Sequence, residues 1–187
     1  SMFNECPATV SQTFTVFAAP VAEFVVNEDV GCSPFTVSFA NTTENGQFYS
    51  WDFGDNEIGS DEDEQHIYYN DTGDPVSYTI TMIAQNFQLC ADTFSASIIV
   101  SPTPVSNFLM DIESSCYTPA TVQLTNASIY ANNFDWDFGL FGSSDIQNPY
   151  ITVDQVGTWP ISLTASNAYG CLHTSSQNFV VHPHPEA

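Results

Sequence analysis

The carboxylates of this chain are concentrated in one stretch, where they could bind a cation. Eight of the 22 acidic residues lie between positions 55 and 74, and four of them are consecutive: Asp61, Glu62, Asp63 and Glu64. Calcium prefers several oxygen ligands from a loop of this kind. We therefore consider Asp55 and this run as a calcium site, the only cofactor that the sequence suggests. The alternative is a solvated acidic loop, because the spacing of an EF-hand is absent.

His182 and His184 form a second candidate metal site. Side chains two residues apart on a strand share one face, so both imidazoles could bind one ion at the surface. The alternative is that the pair is incidental, since it lies at the end of a repeat unit.

No pattern of an enzyme is found. The sequence contains no Gly-x-Ser-x-Gly and no ordered series of Ser, His and Asp. It also contains no Lys or Arg, the side chains that bind oxyanions and phosphates in many active sites. We therefore expect no catalytic residues and no enzymatic activity.

The charge of the chain excludes whole classes of partner. Its formal net charge is −22 at pH 7. A protein without Lys or Arg cannot neutralise phosphates, so we expect no nucleic-acid partner and no attraction to an anionic membrane surface. No apolar run is long enough for a membrane span. The field favours cations and basic partners, or it serves only solubility.

A repeat of about 84 residues organises the chain. The segment 20–24 recurs at 104–108, the sequence Trp-Asp-Phe-Gly recurs at 136–139, and the strand-like residues 12–16 match 96–100 and 177–181. We predict a truncated upstream repeat at 1–18, module one at 19–102 and module two at 103–187. Module one is longer in its middle, and we assign the acidic run 61–64 to this insertion. Ser1 and Met2 are typical of a cloning remnant, so we expect a segment of a longer protein.

The local patterns predict β-structure. Residues 35–39, 78–84, 120–124 and 159–163 alternate apolar and polar side chains with period two. Turn signals recur at short intervals, and no helical periodicity extends over three turns. This spacing predicts sandwiches with negligible helix.

The repeated motif resembles the signature of PKD domains, the polycystic-kidney-disease-type modules of gliding-adhesin-like bacterial surface proteins. Its two copies are Trp51, Asp52, Phe53, Gly54 and Asp55 in module one, and Trp136, Asp137, Phe138 and Gly139 in module two. The resemblance implies tandem immunoglobulin-like β-sandwiches of about seven strands each, used as spacers or interaction modules. Module two departs from the pattern, because Leu140 replaces the final acid.

The physical reading of the motif is structural. Trp51 and Phe53 lie two residues apart, so they share a face that should be the core, and Asp52 points away or caps the turn. Gly54 permits a tight reversal, and Asp55 can accept bonds from local amides. The alternative is that the aromatic pair stacks on carbohydrate, which would require exposure.

The five cysteines follow the repeat. Each module has an early cysteine, Cys32 or Cys116, and a late one, Cys90 or Cys171, while Cys6 occupies a late position upstream. We predict the disulfides Cys32–Cys90 and Cys116–Cys171, with Cys6 unpaired. A zinc site is the alternative, but no Cys-x-x-Cys is present. Disulfides would place the chain outside the cytosol.

These features predict a non-enzymatic extracellular or cell-surface protein that serves as a structural or adhesive spacer. Two alternatives remain: an accessory polysaccharide- or protein-binding module of a secreted hydrolase, and a surface repeat stiffened by calcium. The expected partners are neighbouring repeats and surface polysaccharide or protein ligands. In isolation we expect a monomer.

Overall fold

The computed structural model describes residues 10–184, which are built almost entirely of β-strands. Module one contains β1 (Phe24–Val26), β2 (Val30–Cys32), β3 (Phe35–Asn41), β4 (Phe48–Asp52), β5 (Ile58–Gly59), β6 (Glu64–Tyr68), β7 (Val76–Gln85) and β8 (Ala91–Ser101). Module two contains β9 (Phe108–Met110), β10 (Ser114–Ser115), β11 (Ala120–Asn126), β12 (Asn133–Asp137), β13 (Ser143–Ser144), β14 (Tyr150–Val153), β15 (Gly157–Ser166) and β16 (Leu172–Val181). The helical structure of the described residues is a single 3-10 turn at Gly139–Phe141.

Each module is a sandwich of two sheets, and the two modules have the same strand order. In module one a three-stranded sheet, β1-β3-β6, lies opposite a five-stranded sheet, β2-β8-β7-β4-β5. In module two the corresponding orders are β9-β11-β14 and β10-β16-β15-β12-β13. All pairings are antiparallel except β2 with β8 and β10 with β16. The predicted all-β fold of tandem immunoglobulin-like sandwiches is therefore confirmed. Within residues 10–184, no helix has the length and apolar character that crossing a bilayer requires.

The period-two alternation places one side of each strand in the core. In β3 the buried side chains are Phe35, Val37 and Phe39, and the residues between them face outward. Module one buries its own apolar cluster between Ala22 and Val100, and module two buries a separate one between Phe108 and Val181. Each sandwich therefore has a hydrophobic core of its own.

A buried tryptophan occupies the centre of each core. Trp51 and Trp136 are 1% and 0% exposed. The indole Nε1 of Trp51 donates to the carbonyl of Asp61 at 2.9 Å, and that of Trp136 donates to the carbonyl of Ile146 at 3.0 Å. Each ring thus buries a large apolar surface while its one polar atom is satisfied.

The turn after each tryptophan strand is closed by an aspartate. Oδ1 of Asp52 accepts from the amide of Gly54 at 2.9 Å, and Oδ1 of Asp137 accepts from the amide of Gly139 at 2.8 Å. Gly54 has a φ of +82°, and a Cβ there would lie 2.5 Å from the carbonyl oxygen of Thr79. A side chain is therefore excluded at this position by both its backbone conformation and its surroundings.

The insertion of module one lies at a different place from the one predicted. The acidic run has an equivalent of the same length in module two, because β5 and β6 correspond in spacing to β13 and β14. The extra residues instead lie in the loop 69–75, which connects β6 to β7, whereas only 154–156 connect β14 to β15. The offsets of the repeat show only that the extra residues lie between the Trp-Asp-Phe-Gly motif and the later long strand. The acidic run was therefore wrongly assigned to the insertion.

The predicted strand of an upstream repeat is not formed in the described residues 10–18, which have no regular secondary structure and are exposed. The equivalent segments of the two modules lie in β8 and β16, where long neighbouring strands supply their hydrogen-bond partners. Within residues 10–184, no strand pairs with residues 10–18 in this way. The rest of that predicted segment, 1–9, lies outside the described residues.

Equivalent core substitutions should affect one module at a time. Ile80 and Ile161 occupy the same place in β7 and β15, and both are fully buried. We expect Ile80→Val to remove about 1 kcal/mol from module one and Ile161→Val to remove a similar amount from module two. Hydrogen exchange of each module and calorimetry would measure this. Equal loss of protection in both modules from either substitution would contradict separate cores.

Candidate functional site at the junction of the modules

Asp55 and His66 form an ion pair beside the core of module one. Nε2 of His66 lies 2.7 Å from Oδ2 of Asp55, and Oδ1 of Asp55 accepts from the amide of Glu57 at 3.0 Å. The imidazole is stacked on the ring of Phe53 with 4.3 Å between centroids and meets the ring of Tyr68 edge-on at 4.7 Å. The carboxylate thus fixes the turn after the motif to the neighbouring sheet.

The surroundings of this pair shift two pKa values. Partial burial acts to raise the pKa of Asp55, but the hydrogen bonds from His66 and Glu57 and the charge of His66 together hold it below its usual value. Burial raises the pKa of the Tyr68 phenol, and the nearby Asp55 charge raises it further. The Tyr68 hydroxyl donates to the carbonyl of Phe53 at 3.1 Å, so it remains a neutral donor.

The acidic run makes bonds within its own module. Oδ1 of Asp63 accepts from the amide of Asn41 at 2.8 Å, and Oε1 of Glu64 accepts from the amide of Asp61 at 2.9 Å. Glu62 is exposed. Across residues 10–184, no three His, Cys, Asp or Glu side chains are grouped so that they could hold a metal ion. The calcium site at Asp55 and residues 61–64 therefore stays a prediction, as does the His182 and His184 site.

One disulfide joins the two modules. Cys32 is bonded to Cys171, with 5.7 Å between their Cα atoms and 139 residues between them in sequence. Cys90 and Cys116 are free cysteines, and Cys6 lies outside the described residues. The predicted pairs Cys32–Cys90 and Cys116–Cys171 are therefore wrong.

Strand direction explains why the predicted pairs do not form. Cys32 lies beside Ser101 at the end of β8, because β2 runs parallel to β8, whereas Cys90 directly precedes the start of β8. A strand of this length separates its ends by roughly 35 Å, and a disulfide spans Cα atoms less than about 7 Å apart. Cys116 and Cys171 are separated in the same way by β16. The two cysteines of one module thus lie at opposite ends of its sandwich. We call the end where the chain enters a module its near pole and the end where the chain leaves it its far pole.

We use the word seam for the contact between the modules, formed by residues 32–34, 69–73 and 102–105 with 130–132 and 167–173. Three hydrogen bonds reinforce the disulfide there, and one of them runs from the hydroxyl of Thr103 to the carbonyl of Ser33. The hydroxyl of Tyr130 donates to the carbonyl of Asp71 at 3.0 Å, and Nδ2 of Asn167 donates to the carbonyl of Pro102 at 2.7 Å. The loop that lengthens module one thus contacts module two.

Asn70 gives that loop its shape. It is 5% exposed, and its Nδ2 donates to the carbonyls of Asp74 and Val100 at 2.9 and 2.7 Å. Its Oδ1 accepts from the amide and the hydroxyl of Thr72. Its own amide donates to the hydroxyl of Ser33, the residue that follows the disulfide-bonded Cys32. Asn70 is therefore a structural residue that presents Asp71 to Tyr130.

A cleft of about 310 Å³ lies in the seam. Its lining includes Pro34, Tyr69, Pro104, Tyr130 and His173. Nδ1 of His173 accepts from the amide of Ser106 at 3.0 Å, so this histidine holds the start of module two in place. His173 and Tyr130 thus use their polar atoms for hydrogen bonds within the chain.

Removing the Asp55 charge should weaken module one in a pH-dependent way. A folded-state pKa below the unfolded value of about 3.9 contributes stability above that pH, and the contribution is lost as the pH falls through the folded pKa. We expect Asp55→Asn to lower the free energy of unfolding by roughly 1 kcal/mol near pH 6, after allowing for screening. The difference from wild type should shrink below about pH 4.

Urea unfolding across this pH range would measure the effect. Glu62→Gln is the matched control, because that side chain is exposed in the same region. A difference between Asp55→Asn and wild type that is independent of pH would contradict the role of the ion pair.

Some of the solved structures that are similar to this chain cover about half of it, and others cover most of it. No protein-family model and no curated protein matches the chain. Among solved structures, it is similar to the PKD1 domain of Vibrio anguillarum Epp, with 25% identity over 46% of this chain and 96% of that one and a TM-score of 0.37. It is also similar to the PKD1 domain of the Vibrio cholerae metalloprotease PrtV, with 25% identity, 45% and 99% coverage and a TM-score of 0.37.

A tandem structure covers more of the chain. The titin domains Z1Z2, solved in complex with telethonin, are 14% identical over 91% of this chain and 100% of that one, with a TM-score of 0.39. The chain is similar to PKD domains, whose type of motif it carries twice.

Proposed function

We propose that this chain is a structural spacer of an extracellular protein, in which successive modules are held end to end and keep an adhesive or other binding domain away from the cell surface. The disulfide Cys32–Cys171 carries the proposal, because it joins the far pole of module one to the near pole of module two. A bond in this place fixes the relative position of two sandwiches that each have their own core.

The positions of the cysteines support an elongated arrangement. Cys32 lies beside the end of β8, where the chain leaves module one. Cys171 directly precedes β16, at the opposite pole of module two from Cys116. With a strand of 11 residues in module one and one of 10 in module two, two modules end to end would extend over roughly 70 Å.

The chemistry of the described residues supports an extracellular, non-catalytic role. A disulfide fits an oxidising compartment, since thiols are kept reduced in the cytosol. Two carboxylates have a pKa below its ordinary value, and both make structural bonds: Asp55 fixes a turn through His66 and Glu57, and Asp92 accepts from the amide of Ala22. The proposal therefore assigns these residues to structure and gives the chain no reaction.

Small-angle X-ray scattering would test the spacer function. We expect the oxidised protein to give an elongated profile with a narrow distribution of shapes. Replacing both partners, Cys32→Ser with Cys171→Ser, should leave each module folded but broaden the distribution, because the remaining seam contacts are few and polar. Every variant also carries Cys6→Ser and is purified as a monomer before scattering, because Cys90 and Cys116 are further free thiols.

The matched control is Cys90→Ser with Cys116→Ser, which removes the two other described cysteines and leaves the seam bond intact. This control should scatter like the wild type. A compact profile for the oxidised protein, or identical profiles with and without the Cys32–Cys171 bond, would contradict the spacer function.

A further inference from the structure

We propose that Cys90 and Cys116 each form a disulfide with an adjacent repeat of the same kind. Each of these bonds would be equivalent to the Cys32–Cys171 bond. Cys90 occupies the position of Cys171, and Cys116 that of Cys32. A second copy of this chain therefore has the right partner at each pole. The inference deepens the proposed function, on which it rests, by naming the partner of each module end.

The late cysteines lie in the same turn in both modules. The amide of Cys90 donates to Oδ1 of Asn86 at 3.0 Å, and the amide of Cys171 donates to Oδ1 of Asn167 at 3.2 Å. In return, Asn86 and Asn167 donate their amides to the carbonyls of Cys90 and Cys171, both at 3.0 Å. The backbone that presents the Cys171 sulfur to Cys32 is thus already built around Cys90.

The early cysteines also have matching positions. Cys32 ends β2, where it lies opposite Ser101 in the parallel pairing with β8. Cys116 directly follows β10, whose last residue lies opposite Val181 at the end of β16. Cys32 and Cys116 are both exposed. The Cys116 sulfur is therefore placed at the far pole of module two as Cys32 is placed at the far pole of module one.

Where the chain enters module one, it makes two contacts that have equivalents where the chain enters module two. Nδ2 of Asn86 donates to the carbonyl of Ala18 at 2.9 Å, as Nδ2 of Asn167 does to the carbonyl of Pro102. The residues 10–18 thus approach module one along the path by which the end of module one approaches module two. This contact is independent of the cysteines, and it shows that one hydrogen bond of the seam has an equivalent where the chain enters module one.

The second contact holds the N-terminal segment of each module against its last long strand. The amide of Ala22 donates to Oδ2 of Asp92 at 2.9 Å, and the amide of Ser106 donates to Nδ1 of His173 at 3.0 Å. An aspartate and a histidine accept the same bond at equivalent positions. The incoming chain therefore enters both modules in the same way.

Exposed apolar side chains lie in the turn before Cys90. Phe87 and Leu89 are 70% and 75% exposed, and the ring of Phe87 meets that of the half-exposed Phe48 edge-on at 5.3 Å. Module two has Ala168 and Gly170 at the positions of Phe87 and Leu89. A cluster of this kind around a thiol is typical of a surface that a protein partner covers. An adjacent repeat is the partner that brings a thiol with it.

The bond forms by thiol–disulfide exchange. The thiol of Cys116 in one copy and that of Cys90 in another lose two protons and two electrons as their sulfurs join. A small disulfide, oxidised glutathione, accepts them and becomes two thiols. Because exchange is reversible in a mixture of oxidised and reduced glutathione, the product reports the most stable pairing.

Two single-thiol variants test this pairing. One carries Cys6→Ser and Cys90→Ser, so it retains free Cys116; the other carries Cys6→Ser and Cys116→Ser, so it retains free Cys90. A size tag on one of them separates the three possible dimers on a non-reducing gel. Random pairing of equal thiols gives about half mixed dimer. We expect the mixed dimer to exceed the two symmetric dimers together by roughly tenfold.

The control is Leu89→Asp in the variant that retains Cys90, which places a charge in the apolar cluster without removing the thiol. It should reduce the mixed dimer several-fold while hydrogen exchange shows module one still folded. The linked peptides can be identified after pepsin digestion, because the chain has no Lys or Arg for trypsin. A random distribution, mainly symmetric dimers, or no dimer would each overturn the inference.

Failure of this test is distinguishable from failure of the spacer function. Scattering of the single chain reports the seam between modules one and two, which contains neither Cys90 nor Cys116. A rigid single chain that forms no mixed dimer would leave the spacer function standing and reject the periodic disulfide.

Discussion

The parallel pairing of the short strand β2 with the end of β8 is the constraint on which the junction depends. It places Cys32 at the pole of module one where the chain leaves, while Cys90 stays at the opposite pole. Because the same pairing recurs between β10 and β16, every cysteine of a module lies at an end and none can reach its partner within the module. The sandwich therefore carries its sulfur atoms where one module meets the next.

The composition of the chain makes a covalent bond at this place valuable. With no Lys or Arg, two acidic modules cannot attract each other through salt bridges, and the ion pairs found in the described residues involve His66 within module one. The direct hydrogen bonds across the seam come from Tyr130, Asn167 and Thr103. Domains within one chain usually move relative to each other unless their interface is large and hydrophobic. The disulfide holds together two surfaces that have little other attraction.

The sequence predicted what depends on local pattern and missed what depends on strand direction. Alternation in residues such as 35–39 and the repeated Trp-Asp-Phe-Gly motif were sufficient for the fold class, because burial of Trp51 and Trp136 follows from period two. The cysteine pairing needed the knowledge that β2 runs parallel to β8, which a strand of three residues does not reveal. The role of the loop 69–75 was missed for a related reason. Asn70 reads as a turn residue, and only its burial against Val100 shows that it shapes the seam.

The arrangement of the connections explains why one disulfide can orient a whole module. The polypeptide passes from β8, in the five-stranded sheet of module one, to β9, in the three-stranded sheet of module two. The disulfide instead links the five-stranded sheets of both modules, through β2 and the residue before β16. Two connections to sheets about 10 Å apart leave only rotation about the line that joins them. The Tyr130 hydroxyl, on the loop between β11 and β12, bonds to Asp71 as a third point and opposes that remaining rotation. Asp71 belongs to the insertion that module two lacks. A seam formed through Cys116 at the far pole of module two would therefore have two fixed points rather than three.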